Sequence, residues 1–134
     1  MSFGLVLGLS LLVVPALAQA SVTSTAILCV GTAVATREAA LEAAVATHLS
    51  SEQNAYTVRA TELAGAYSNA TAKTLQVGVK TSWADFNKSV KTAATVWRTS
   101  RNVAWSAFRT AAKSCKATSA ITDSAHSGSE ISGQ

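Results

Sequence analysis

Apolar residues along the middle of this chain recur every eleven positions. Ala33-Val34-Ala35-Thr36 returns unchanged as Ala44-Val45-Ala46-Thr47, and the first two positions persist in kind as Ala55-Tyr56 and Ala66-Tyr67. Leu41 and Leu63 stand 22 residues apart beside these columns. Phe86, Trp97 and Phe108 keep the same spacing in the second half, with Leu75 one unit earlier. There the stretch from Trp83 to Lys91 matches that from Trp105 to Lys113 at an interval of 22. Eleven residues fill three helical turns at about 3.67 residues per turn, so the apolar stripe runs almost parallel to the helix axis. Nearly straight helices follow, with at most a slight right-handed supercoil. Alternation at a period of two is absent, which excludes strands. No proline follows Pro15, and from Thr32 to Ala117 the only glycines are Gly65 and Gly78. So long a stretch without breakers, rich in alanine, reads as helix.

Two helices are predicted, Gly31 to Ser68 and Thr74 to Ala117, each about 55 to 65 Å long at about 1.5 Å per residue. The join is Asn69-Ala70-Thr71-Ala72-Lys73, where Asn69 suits a helix end because asparagine tolerates the left-handed conformation. Gly65 and Gly78 flank the join and would permit close approach there. One continuous helix is the alternative. Three features favour folding back. Cys29 and Cys115 meet at the open end of a hairpin centred near Ala72, and an exported chain with two cysteines oxidises them. Partners in that register have numbers summing to about 144, as these two do. Opposite charges fall near the same register: Arg59 with Asp85, Glu52 with Lys91, Glu42 with Arg101, and Glu62 with Lys80. A second helix holding eight basic residues produces some of those matches by chance. The expected fold is all-α, a long antiparallel, coiled-coil-like helical hairpin with an eleven-residue repeat, closed by a Cys29–Cys115 disulfide. Val34, Val45, Tyr56 and Tyr67 are expected to face Phe86, Trp97 and Phe108 across one interface.

The ends differ from the middle. Leu5 to Val14 is an apolar run that leads to Ala18-Gln19-Ala20, the pattern of a secretory signal peptide over residues 1–20 cleaved after Ala20. Its first four residues lack the usual Lys or Arg. An uncleaved N-terminal anchor is the alternative, although the run is short of the roughly 20 apolar residues a spanning helix needs. The expected location is exported: periplasmic, cell-envelope or extracellular. Residues 21–30 read as a polar lead-in, and 118–134 as a Ser/Gly-rich tail with too little apolar content to pack.

Composition narrows the chemistry. The chain has 134 residues, 27 of them Ala and 16 Thr, so one small domain is the limit. At 49% hydrophobic and 13% charged it is not a disordered chain. No Gly-rich phosphate loop, nucleophile elbow or CxxC occurs, and no cofactor or small-molecule substrate is implied. His48 and Glu52 share a helix face, but two positions fall short of the ligand set that a metal site needs. No catalytic residue is assigned, and the chain reads as non-enzymatic.

Charge is divided unequally. Gly31 to Ser68 holds four Glu and two Arg, a balance of −2, whereas Leu75 to Ala117 holds eight basic residues and one Asp, a balance of +7. On a helical wheel Trp83 and Trp105 edge the apolar arc of the second helix. Arg98 and Arg109 lie beyond them, then Lys80, Lys91 and Lys113. A tryptophan edge beside a basic stripe suits an acidic polymer or an anionic lipid surface. The plainer reading puts these tryptophans in a core or an oligomer seam and leaves the lysines solvated.

With its signal, cysteine pair and Trp-x-x-Phe repeats, the chain resembles small exported bacterial proteins built of Ala-rich helices with a Cys near each end. That resemblance implies export and a helical hairpin, and it carries over no catalytic residues. In shape alone it is similar to periplasmic helical-hairpin chaperones. Three functions are compatible: an interaction or structural module of the envelope, self-associating or docking another envelope protein; a binder of anionic polymer or lipid; and a holding chaperone.

Overall fold

The computed structural model of the chain describes residues 23–68, 71–127 and 129. Two helices, α1 (Ser24–Ser68) and α2 (Ala72–Ser114), pack antiparallel along their length, and two single 3-10 turns follow at Ser119–Ile121 and Ser124–His126. No strand occurs among the described residues. With 45 and 43 residues, the helices are about 68 and 65 Å long at about 1.5 Å per residue. The expected signal segment, residues 21 and 22, and Asn69 lie outside the described residues.

Three boundaries differ from expectation, each for a local reason. α1 starts seven residues earlier than Gly31, because Thr23 Oγ1 accepts the Ala26 amide at 3.2 Å and caps the helix. The lead-in is therefore mostly helical, and Cys29 sits inside α1. Thr71 caps α2 in the same way, accepting the Thr74 amide at 3.3 Å. α2 stops at Ser114 rather than Ala117 because the chain turns through Lys116 at φ 57°. There the Lys116 amide donates to Lys113 O at 3.0 Å and the Ala117 amide to Ala112 O at 3.1 Å, the paired bonds of a Schellman stop.

The abundant threonine and serine are accommodated by back-bonding. Thr32, Thr36, Thr47, Thr57, Thr61, Thr95 and Thr110 each donate their hydroxyl to the carbonyl four residues earlier. Their polar atoms are thus satisfied on exposed faces without leaving the helix.

The eleven-residue period governs the seam. Apart from Val34, every α1 residue withdrawn from solvent falls in one of three columns. These are Ala33, Ala44, Ala55 and Ala66; Val30, Leu41, Glu52 and Leu63; and Arg37, His48 and Arg59, with Ala26 one unit before them. α2 and its C-cap Cys115 answer with Leu75, Phe86, Trp97 and Phe108 flanked by Ser82, Ala93, Ala104 and Cys115 and by Val79, Val90, Arg101 and Ala112.

The alanine column is buried and the valine–tyrosine column largely is not, so the expected facing of Val34, Val45, Tyr56 and Tyr67 is corrected. Val45, Tyr56 and Tyr67 are 42%, 54% and 68% exposed. Closely packed helix axes leave the line of nearest approach to the smallest side chains, and the larger column moves to the flank. Two contacts of that column survive. Tyr56 meets Phe86 edge-on at 4.9 Å, and Val34 packs beside the core. Gly78 lies on the same line. A Cβ there would sit 2.9 Å from Ala66 Cβ, whereas Gly65 faces open space.

The disulfide joins Cys29 to Cys115 with Cα atoms 5.7 Å apart, closing a sequence separation of 86. Such a bond belongs to a non-reducing compartment, and no described helix is long and apolar enough to cross a membrane. The main core cluster lies at this end: Val30, Leu41, Trp105, Phe108 and the alanines between them. The expected interhelical ion pairs do not form. Among the described residues the ion pairs are Arg37 with Glu38 and Asp123, and His48 with Glu52. Arg59 turns to aromatic rings instead, and Arg101 bonds Asn102 Oδ1 at 3.1 Å. Replacing Cys29 and Cys115 together with serine should lower the unfolding free energy by about 4–5 kcal/mol, from lost loop constraint. Urea titration followed by circular dichroism measures it, and an unchanged midpoint would show the seam to suffice alone.

Candidate interaction surface

The α1 column Arg37, His48, Arg59 meets aromatic rings of α2 in three successive layers. The Arg37 guanidinium lies 4.1 Å from the Trp105 ring centre and 4.5 Å from that of Phe108. Twenty-two residues along, Arg59 lies 4.5 Å from Trp83, 4.2 Å from Phe86 and 4.8 Å from Tyr56. The ring pairs beneath the two arginines are superimposable in kind: Trp105 on Phe108 at 5.7 Å and 87°, Trp83 on Phe86 at 5.8 Å and 87°. Between them His48 stacks on Trp97 at 6.3 Å, with its Nε2 3.6 Å from Glu52 Oε1. A guanidinium over a ring face is held by the quadrupole, worth about 0.5–2 kcal/mol depending on desolvation.

The first layer is completed by the tail. Arg37 Nη1 donates to Asp123 Oδ1 at 2.6 Å and Nη2 to Asp123 Oδ2 at 2.7 Å, a two-pronged pair. Arg37 Nε also donates to Glu38 Oε1 at 2.8 Å. Ile121, two residues before Asp123, packs against the core cluster. The expectation of an unpacked tail is therefore corrected for 118–123. A single aliphatic residue and a single carboxylate suffice when the Schellman stop aims them at a buried cation. The hydrogen bond from Arg37 holds the Asp123 carboxyl below its ordinary range, against a smaller opposing effect of burial. The same bond raises Arg37.

The predicted contact residues divide. Lys80, Lys91, Arg98, Arg109 and Lys113 are exposed, as a solvent-facing basic stripe requires. Among the described residues Arg98 bonds only its neighbour Thr95 Oγ1, at 3.2 Å. Trp83 is 43% exposed on the edge of the stripe. Trp105 is not on that edge. It is 4% exposed, under Arg37 and within the core cluster against which Ile121 of the tail packs, and this corrects its assignment as a contact residue. Pattern gave Tyr56 a packing role and paired Arg59 with Asp85, and it singled out neither Arg37 nor Asp123. The signal was the interval of 22 separating Arg37 from Arg59, which repeats that of Trp83 and Trp105.

The contacts of Arg59 with both Tyr56 and Trp83 place the tyrosine column and the tryptophan column on one flank. Near the disulfide the tail occupies this flank. Towards the interhelical join it stays open, with Val45, Leu49, Tyr56 and Trp83 at 42%, 58%, 54% and 43% exposure. Trp97 lines a shallow depression there with Leu41 and Val45. A separate open groove of about 670 Å³ runs beside the disulfide, lined largely by Ala33, Ala40, Ala104, Ala107 and Ala111. No group of three or more His, Cys, Asp or Glu converges among the described residues. No family model matches the chain, and neither a curated protein nor a solved structure does.

The tail contact carries a pH dependence with a fixed sign. Asp123 is depressed in the folded state, so its contribution is complete above the ordinary value near 3.8 and lost as pH falls through the lowered one. With the Asp123 side chain 41% exposed, that contribution is about 1 kcal/mol at most. Asp123→Asn at neutral pH should free 118–127 as acid does, read as faster amide hydrogen exchange there with α1 and α2 unchanged.

Proposed function

We propose that this chain is a non-enzymatic interaction module of an extracytoplasmic compartment, which docks polypeptide through the open part of its tyrosine–tryptophan flank. The observation that carries this reading is the division of that flank. One half is covered by a segment of peptide, Ile121 to Asp123, and the other half presents the same kind of surface uncovered. The stapled hairpin supplies rigidity, and the exposed Val45, Leu49, Tyr56 and Trp83 supply apolar contact of the type that marks docking sites. A panel of immobilised twelve-residue peptides tests it. The chain should bind a subset, Leu49→Lys with Tyr56→Ser should abolish that binding, and Arg98→Gln with Arg109→Gln should leave it. Binding to none of the panel would reject the reading. Dimerisation in light scattering that Leu49→Lys removes would identify a second copy as the occupant.

A second reading rests on a different observation. Lys80, Lys91, Arg98, Arg109 and Lys113 are all exposed on adjoining columns of α2, and none enters an ion pair with a described carboxylate. Such a line supports binding of an anionic polymer or lipid surface, with Trp83 as its one exposed tryptophan. Three to five phosphate contacts on duplex DNA would give a slope of log affinity against log salt of roughly −3 to −4.5. Arg98→Gln, Arg109→Gln and Lys113→Gln together should flatten it. Absence of binding to DNA, acidic polysaccharide and anionic vesicles at low salt would reject this reading.

A further inference from the structure

The two arginine layers share the tryptophan–phenylalanine pair beneath them and differ at the outward edge. Each guanidinium covers a tryptophan–phenylalanine pair of α2 in the same edge-to-face arrangement, 22 residues apart on both helices. Arg37 has its outward N–H edge filled by Asp123 and Glu38. At Arg59 the place of Glu38 is taken by Ala60, and no described carboxylate lies within ion-pair distance. Its nearest acids point elsewhere: Glu62 and Asp85 line a pocket with Lys88 that Arg59 does not reach, and Glu52 turns to His48. The guanidinium is thus oriented by three rings, half-withdrawn from water, and no described side chain takes its donors.

The occupant of the first layer states the chemistry of the second. A carboxylate takes the two outward N–H groups, and an aliphatic side chain two residues earlier packs on the apolar wall. No described carboxylate of the chain supplies this ligand to Arg59. The layers are about 33 Å apart at about 1.5 Å per helical residue. Glu130 lies seven residues beyond Asp123, a reach of at most about 25 Å of extended chain. Tyr56 at the place of Val34 offers a broader apolar wall, and exposed Lys80 and Lys91 add positive potential nearby.

We propose that Arg59, Tyr56 and Trp83 form a second receptor site for a peptide segment of the type aliphatic–any–acid, supplied by another molecule and bound as Ile121–Asp123 is bound at Arg37. This rests on the reading of the flank as a peptide-docking surface and names its ligand.

The probe is the synthetic peptide of residues 117–127, titrated into the full, oxidised chain and followed by the three indole N–H resonances. The Trp83 indole should shift on titration while Trp105, covered by the chain's own tail, stays in place. The Asp123→Asn peptide should bind about tenfold more weakly, the loss of a charge-assisted pair. Arg59→Gln should lose a similar factor, and Arg59→Lys, which keeps the charge but not the fork, should recover only part of it. If Arg59→Gln fails to fold, the two peptides on the unaltered chain decide the matter. No shift of Trp83 at millimolar peptide overturns the proposal, as does a shift confined to Trp105 or one the Asp123→Asn peptide reproduces in full. Peptides from the panel that bind the flank without regard to their acids would overturn this site and leave the docking surface standing.

Discussion

Two helices of this length stay in contact from end to end only if their apolar stripes do not wind away from each other. A seven-residue repeat would have to be paid for by supercoiling, whereas three turns in eleven residues matches the helix's own pitch closely. Everything else follows from that match. Because the stripe is straight, one column of alanines can stay withdrawn from solvent over four units, from Ala33 to Ala66. Because that column is held, each larger side chain returns to the same lateral position every eleven residues. Layers of similar composition therefore recur along the hairpin, and a site built at one level is offered again at another.

The seam so formed is thin, and its energy is unevenly distributed. The large buried groups, Trp97, Trp105 and Phe108, lie in the half of α2 nearer the disulfide. In the other half of α2 the only buried residue is Ser82, whose hydroxyl reaches the Arg59 carbonyl at 3.4 Å. Few buried apolar contacts mean low local stability. The staple and the tail both act where the core is already best, and the join end is held mainly by close backbone approach at Gly78 and Ala66. Rings at Tyr56, Trp83 and Phe86 add the one sizeable cluster there, and Arg59 caps it.

Much of the fold was legible in the sequence. The eleven-residue interval gave helix class and straightness, and the cysteine positions gave the register, which Gly78 against Ala66 obeys as well. What was not legible is the choice between neighbouring columns. The pattern Ala-Val, Ala-Val, Ala-Tyr, Ala-Tyr does not say which of two adjacent columns lies inward, and hydrophobicity favours the wrong one. Axis-to-axis distance, a property of both helices together, decides for alanine. The site was misread for a related reason. Arginine within an apolar stripe looks like an interruption to be paired with an acid, so Arg59 was matched to Asp85. In the fold the ring faces of the opposite helix take the guanidinium, and the acids remain in water. Trp105 and Trp83 have the same place in the repeat and so looked alike; the tail, which composition marked as inert, separates them by covering one.

That separation bears on why the cationic column exists. For stability alone, a leucine at position 37 or 59 would fill the seam without the desolvation cost of a guanidinium. A cation in that column carries something leucine does not: donors directed outward from a surface that is otherwise apolar, held in fixed orientation by the rings beneath. At Arg37 those donors are used to fasten the end of the chain. At Arg59 the same apparatus, rings included, is retained where no described part of the chain uses it. A repeat constrained only by packing would not need to keep the arginine, tryptophan and phenylalanine together at both levels, since the middle layer forms its seam with His48, Ala94 and Trp97 instead. The helix seam does not require the alternation of arginine, histidine and arginine layers, whereas the ligand chemistry proposed for Arg59 would.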